Sequence, residues 1–381
     1  MNLKNTFFIL TPFIFIAFGF YLKNQNTGED VLLKAINASL QSAHYDPVAL
    51  DDSFSAKAYG LYIENIDPNK RILLQEDVDA LGKYELTIDD EINDGTYQLF
   101  DRSVAMLTEK LDVTEQFIED IMAQPFDFSK KEEVEFDEDQ AYAASLDELK
   151  DRWRKYLKYN VLTRLHADVV AQEKAIENTD TIITPVSQDS MERKARKSVL
   201  KSHRDWYKRL KKMDRKDRLS VYVNSITAVY DPHTNYFPPA DKENFDIQMS
   251  GQLEGIGAQL QEKDGYIKIT NIIPGGPSSL QGELQANDLI IKVKQENEEP
   301  VNIVDWRIDD AVKLIRGKKG TKVTLTVRKP DGSEKDITIT RDVVVLEESY
   351  AKSLIINDND NVKTGYIYLP SFYADFRNPR G

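Results

Sequence analysis

Leu253-Glu254-Gly255-Ile256-Gly257-Ala258-Gln259-Leu260 is the stretch of this chain whose residue types are best suited to chemistry. Two glycines two positions apart let a backbone present consecutive N–H groups to an anion, because no side chain shields them. A dinucleotide-binding fold uses a similar device, but it needs a strand before the glycines, a helix after them and a third glycine three residues on, and position 260 is Leu. The end of a polypeptide suits the loop better. Its carboxylate would be held by the loop N–H groups, while a strand over 256–260 would add the peptide as one more antiparallel strand. The opposite wall would be a helix over 308–316, closed by Gly317, on which Ile308, Ala311, Val312 and Ile315 share an apolar face. A hydrophobic last residue would fill the gap. The expected tail-binding residues are therefore Leu253, Gly255, Ile256, Gly257, Ala258, Leu260, Ile308, Ala311, Val312 and Ile315.

Other chemistries are bounded by composition. The 381 residues contain no cysteine, which excludes disulfides, thiolate metal sites, a cysteine nucleophile and a lipidated-cysteine anchor. The histidines, His44, His166, His203 and His233, lie too far apart for a local zinc motif, so no metal and no cofactor is expected. A formal charge of −14 argues against general affinity for nucleic acid or anionic lipid. The stretch 192–218 is locally basic and contains Trp206 and Tyr207, a combination that can bind nucleic acid by neutralising phosphates and stacking on bases. Val199, His203, Trp206, Leu210 and Met213, however, recur at four and three residue steps, as on one face of an amphipathic helix whose charges are solvated or met by acidic segments. No nucleic-acid partner is expected. The acidic run that includes Glu132, Glu133, Glu135, Asp137, Glu138 and Asp139 reads as solvated loop.

The elements that must position the loop follow from texture. With 41% hydrophobic residues and 10% aromatics the chain can fill more than one core. Lys4 precedes an apolar run over 7–22, which reads as an export segment, either a cleaved signal peptide or an uncleaved anchor to the inner membrane. From about Val31 to Tyr230 the pattern is helical, with a start at Thr87, which can cap, and a long helix over 145–177. Asp231-Pro232-His233-Thr234-Asn235-Tyr236-Phe237-Pro238-Pro239 ends it, with His233 as a turn residue. Beyond lie glycines, strand patterns over 266–270 and 322–327, and one convincing helix, that over 308–316.

Four fragments carry a resemblance. Gly255-Ile256-Gly257-Ala258, Ile273-Pro274-Gly275-Gly276-Pro277-Ser278, Leu284-Gln285-Ala286-Asn287-Asp288-Leu289-Ile290 and the run from Asp309 to Gly317 occur in the order seen in PDZ domains of C-terminal-processing proteases. With Asp231-Pro232-His233-Thr234 upstream and the long helical region, the chain resembles the tail-specific branch of that family. The resemblance implies a multidomain protein: residues 1–22 a signal peptide or anchor, 23–235 a mainly α-helical N-terminal domain, 236–345 an α+β PDZ domain, and 346–381 the first strands of a truncated protease core. It implies a periplasmic serine endopeptidase that recognises apolar C-terminal tails of protein substrates, with an adaptor protein as a further partner.

In that family a serine attacks the peptide carbonyl and a lysine kept neutral takes its proton, both from a core domain after the PDZ module. Residues 363–376, with Gly365-Tyr366-Ile367-Tyr368-Leu369-Pro370-Ser371-Phe372, resemble the first strand of that core, and Ser371 belongs to the strand motif. No catalytic residue is expected within this sequence, and no proteolysis by this chain alone. The alternative is a stand-alone periplasmic PDZ protein that captures tails or acts as an adaptor.

Overall fold

A computed structural model describes residues 28–136, 140–177, 185–357 and 363–372. The export segment, Asp137 to Asp139 of the acidic run and residues 373–376 of the expected core strand lie outside them. The chain divides into two units, one through Tyr236 and one from Phe237.

The first unit is helical: α1 (Glu29–Ala43), α2 (Asp52–Ile66), α3 (Gln75–Leu81), α4 (Ile88–Asp94), α5 (Gln98–Met122), α6 (Leu146–Glu177), α7 (Gln188–Lys212) and α8 (Arg215–Thr227). Apolar faces at helical spacing meet in one core in which Phe54, Tyr62, Phe100, Trp153, Tyr207 and Tyr222 are all buried. Trp153 Nε1 donates to the Arg71 carbonyl at 2.8 Å, and the Tyr62 and Ser103 hydroxyls share a 2.6 Å bond, whereas the buried Tyr207 hydroxyl has no hydrogen-bond partner among the described residues. Helix α4 does start after Thr87, but the Thr87 hydroxyl makes no cap. It donates backwards to the Tyr84 carbonyl, and the Asp89 N–H is taken by Ser55 Oγ of α2 instead.

The basic stretch is α7 plus the start of α8. Val199 is buried and His203 packs edge-on to Trp153 and Tyr156, as the amphipathic spacing requires. Its cations face carboxylates of α5 in the same unit, Arg204 with Glu119 and Lys211 with Asp112 at 2.6 Å. Met213 lies past the helix end. Asp214 and Asp217 there form a capping box, each carboxylate accepting the other's N–H, which stops one helix and starts the next. The Asp231-Pro232-His233-Thr234 motif is a turn closed by Asp231, whose carboxylate accepts the His233 N–H at 2.7 Å and the Thr234 hydroxyl, and meets His44 Nε2 at 2.9 Å.

His203 gives the unit an expected pH response. Burial, aided by Arg71 and Arg164, pushes its imidazole down to about 4. The unfolded chain therefore takes up a proton near the usual imidazole value while the folded chain resists it. Stability present above about pH 6.5 should fall as the pH drops toward 4, and His203→Phe should flatten that slope. Urea-unfolding midpoints between those pH values, compared for the two proteins, measure it. Equal slopes would place the acid sensitivity elsewhere.

The second unit begins with α9 (Pro239–Ser250) and contains β1 (Gln252–Gly255), β2 (Ala258–Lys263), β3 (Tyr266–Ile272), α10 (Pro277–Gln281), β4 (Leu289–Gln295), β5 (Val301–Asn302), α11 (Ile308–Ile315), β6 (Lys322–Arg328), β7 (Glu334–Thr340) and β8 (Asp342–Val345). It thus has two helices, α9 and α10, that periodicity did not reveal. Both start on proline at the first helical turn and end on a left-handed glycine, Gly251 or Gly282. Antiparallel strands run β2-β3-β4-β6-β7, with β5 beside β4, and β1 pairs separately with β8. Alternate residues, Ile267 and Ile269, Val323, Leu325 and Val327, Ile337 and Ile339, bury one face. Asp264 and Gly265 both have positive φ and make the tight turn between β2 and β3. A last hairpin, β9 (Lys352–Asn357) and β10 (Lys363–Tyr368), pairs only with itself among the described residues.

Candidate functional site

The glycine loop is held from behind. The Ile256 carbonyl accepts both the N–H (2.8 Å) and the hydroxyl (2.6 Å) of buried Ser278, and the Gly257 carbonyl accepts the Ile273 N–H at 2.9 Å. Because a trans peptide sets N–H opposite C=O, the N–H groups of Gly257 and Ala258 are turned the other way. Ala258 sits opposite Ile272 in a pair that leaves its own N–H and C=O on the outer edge of β2, and the pleat repeats this two residues on at Leu260. No strand of the sheet covers that edge among the described residues.

Only one of the two glycines works as the spacing suggested. Gly257 has φ +72°, the left-handed conformation that ends the ladder, so β2 begins at Ala258 and not at Ile256. Its Cα approaches that of Gly276 so closely that a Cβ on either would stand 3.2 to 3.3 Å from the other's backbone. Gly255 instead lies in β1 opposite Asp342, with its loop end further tied by Glu254, which accepts the Lys319 N–H at 3.0 Å.

An open groove of about 660 Å³ runs between β2 and α11. Leu253, Ile256, Gly257, Ala258 and Leu260 line it on one side and Ile308, Val312 and Ile315 on the other. Gly255 and Ala311 do not line it: Gly255 is in the β1–β8 pair, and Ala311 is fully buried against the sheet, one step round the helix from the groove. No lining residue is a carboxylate, and the one charge is Arg316, whose guanidinium also donates to Asn244 of α9 at 2.9 Å. The slot is apolar, with backbone donors turned toward one end and beside them Arg316, which also lies 3.6 Å from Glu243; such a wall can accept an apolar group that carries a negative charge.

Three supporting residues are not evident from the sequence pattern. Ser278 pins the loop, and its signal was a small polar residue directly after Pro277 at a helix start. Arg316 reads in the sequence only as the end of a helix. Arg341 is almost wholly buried and donates to the Leu314 and Ile315 carbonyls that finish α11. Nothing local distinguishes it from the other arginines. Among the described residues no group of three or more histidines and carboxylates could hold a metal ion, and no helix is long and apolar enough to cross a membrane.

Comparison with known proteins gives the same two parts. Residues 36–240 match the tail-specific protease N-terminal domain and residues 245–328 match the PDZ domain. The chain is 29% identical over 344 residues to the tail-specific protease of Haemophilus influenzae, covering 89% of this chain and 46% of that protein. It is 37% identical over 147 residues to the carboxy-terminal processing protease CtpA of Bacillus subtilis, covering 39% of this chain and 29% of that protein. Among solved structures, the PDZ domain of the carboxy-terminal protease from Vibrio cholerae, in complex with peptide, is 46% identical and covers 24% of this chain and 97% of its own, with a TM-score of 0.24. The chain spans about half the length, or less, of these two curated relatives.

Proposed function

The chain belongs to the tail-specific protease family, as a helical N-terminal region followed by a PDZ domain, and from that premise we propose that its β2–α11 groove captures the C-terminal tails of proteins destined for cleavage. The observation that carries the reading is the uncovered edge of β2, with the N–H groups of Gly257 and Ala258 turned away from Ser278 and Ile273. The tail adds as an antiparallel strand to β2, its terminal carboxylate accepts from those N–H groups, and its last side chain fills the slot between Leu260 and Val312. Leu253, Gly255, Ile256, Gly257, Ala258, Leu260, Ile308, Ala311, Val312 and Ile315 hold or shape the slot, Gly255 and Ala311 by supporting its walls.

Capture is the part assigned to these residues. Cleavage by a serine activated through a neutral lysine belongs to the protease core, of which β9 and β10 form the first strands. In support, Leu354, Ile355, Ile356, Tyr366, Ile367 and Tyr368 are exposed, and a two-stranded hairpin with bare apolar faces is stable only when more chain covers it. The apolar run over 7–22, read as an export segment, supports a periplasmic location.

A fluorescent peptide ending in a small apolar residue tests capture on the full chain. The free acid should bind saturably, and amidating its end should weaken binding by roughly 1.5 to 3 kcal/mol, the worth of a charge-assisted hydrogen bond. Equal affinity for acid and amide would remove the carboxylate from the recognition and with it the proposal.

A further inference from the structure

A second, chemically different recess lies wholly within the helical unit. Two cavities there share Asn65, Ile66, Ile72 and Leu210 among their walls. The smaller, of about 110 Å³, is an apolar hole lined by side chains such as Val104, Leu107, Leu111 and Val221. The larger, of about 570 Å³, is walled by Trp153, Tyr156, His203 and Trp206 and rimmed by Arg71 and Arg209. The rings meet edge to face, Trp153 with Tyr156 at 5.9 Å and with His203 at 5.7 Å, so flat faces and edges are both presented to the recess.

The electrostatics of this recess are one-sided. Arg71 holds its guanidinium 3.5 Å over the Tyr156 ring and closes no ion pair with a carboxylate among the described residues, although the Asp67 carboxylate feels its charge and Glu132 and Asp151 line a separate recess on its other side. Arg209 likewise has none among them, whereas Arg196, Arg204 and Lys211 on the same helix are each paired. Asp67 is the only carboxylate in the wall, and its two oxygens face inward to the N–H groups of Arg71, Ile72 and Leu73 at 2.8 to 3.0 Å. Aromatic walls beside unpaired arginines attract an anion that also carries apolar bulk. Asn69 adds a neutral hydrogen-bonding group along the wall, while the Asn65 amide donates to Ser225 and the Ser202 hydroxyl to the Ser198 carbonyl.

We propose that this recess is a docking site for an acidic polypeptide segment of a partner protein, one whose bulky apolar side chain enters the Leu107–Leu111 hole while its flanking carboxylates meet Arg71 and Arg209. The site is separate from the tail-binding groove, and it needs no free chain end, since its cations are side chains that an internal aspartate or glutamate can reach.

The test uses the full chain with Trp306→Phe, which leaves Trp153 and Trp206, both in the recess, as the only tryptophans. The probe is a short peptide, acetylated and amidated so that the other groove has no terminal acid to grip, with one leucine and one phenylalanine set between aspartates. Titration should give a saturable change in tryptophan fluorescence. Affinity should fall at least about tenfold when lysines replace the aspartates, and by a similar factor in Arg209→Glu, an exposed position where charge reversal leaves the core alone. Arg209→Lys should restore most of the loss. The proposal is overturned by no saturable change up to about 1 mM peptide, a limit corresponding to roughly −4 kcal/mol of binding. Equal response to the acidic and basic peptides, or unchanged affinity in Arg209→Glu, overturns it too.

Discussion

Gly257→Val is expected to eliminate measurable tail binding while leaving the helical unit folded. At φ +72° any L-residue carries roughly 1 to 2 kcal/mol of backbone strain, and a β-branched one is worse placed than most. The new Cβ would stand 3.2 Å from Gly276 Cα, 3.2 Å from Pro277 Cδ and 3.4 Å from Val344 Cγ2, all attached to elements that hold the loop from behind. Relief requires the 257–258 peptide to turn, and that peptide carries the Ala258 N–H assigned to the carboxylate. A loss of about 3 kcal/mol, near a hundredfold in affinity, is the expected scale. Gly275→Ala supplies the control. Gly275 has nearly the same φ, +74°, but a Cβ there would meet nothing within 4 Å, so the variant should lose stability through strain alone and keep its tail affinity. Peptide titration and thermal unfolding of both variants separate the two effects. Tail affinity within a few-fold of the parent in Gly257→Val would show that the loop does not need this backbone shape to bind.

Much of this arrangement was legible in the sequence because it rests on local periodicity. The alternation in Lys322-Val323-Thr324-Leu325-Thr326-Val327 and the one-sided Ile308, Val312, Ile315 pattern name a strand and a helix without any partner, and both formed with ends within a residue of expectation. What was not legible depends on residues distant in sequence. Gly255 and Gly257 look alike in a string. One pairs with Asp342 and the other packs on Gly276, and only these long-range neighbours make one a strand residue and the other a left-handed hinge. Ala311 shares the apolar helix face with its neighbours, yet a helix packed on a sheet has a stripe wider than a groove, so its small central residue goes to the sheet. Helix α9 is longer than α11 but buries only Ser250 and so shows no apolar stripe, and α10 has only 5 residues; both are set by proline starts and glycine stops instead.

Arg341 carries the other large expectation. The residue is 3% exposed, and its guanidinium makes five hydrogen bonds, to the carbonyls of Leu314, Ile315 and Lys322, the side-chain carbonyl of Gln295 and the hydroxyl of Thr321. No carboxylate among the described residues shares this site; the charge faces the C-terminal end of α11, where unpaired helix carbonyls concentrate negative potential. Burial draws its pKa down from the ordinary arginine value, but a guanidinium stays charged at any pH the fold survives. Gly317 is explained by the same contact, since a Cβ there would stand 3.0 Å from Arg341 Cζ. Arg341→Ala strips the Ile315 carbonyl and the Gln295 side-chain oxygen of their donor, while the Leu314 carbonyl keeps only Gln295 Nε2; at about 1 to 3 kcal/mol for each buried group left unmade, a total near 3 to 5 kcal/mol is expected. Because Ile308, Val312 and Ile315 form one wall of the groove, a loosened α11 end should also weaken tail binding, whereas a purely structural cation far from the groove would alter stability alone. Arg341→Lys keeps a charge but not the planar fork, and should fall between the parent and Arg341→Ala in both urea midpoint and peptide affinity. A midpoint unchanged in Arg341→Ala, or affinity retained while the midpoint drops, would break the link between this buried cation and the shape of the groove.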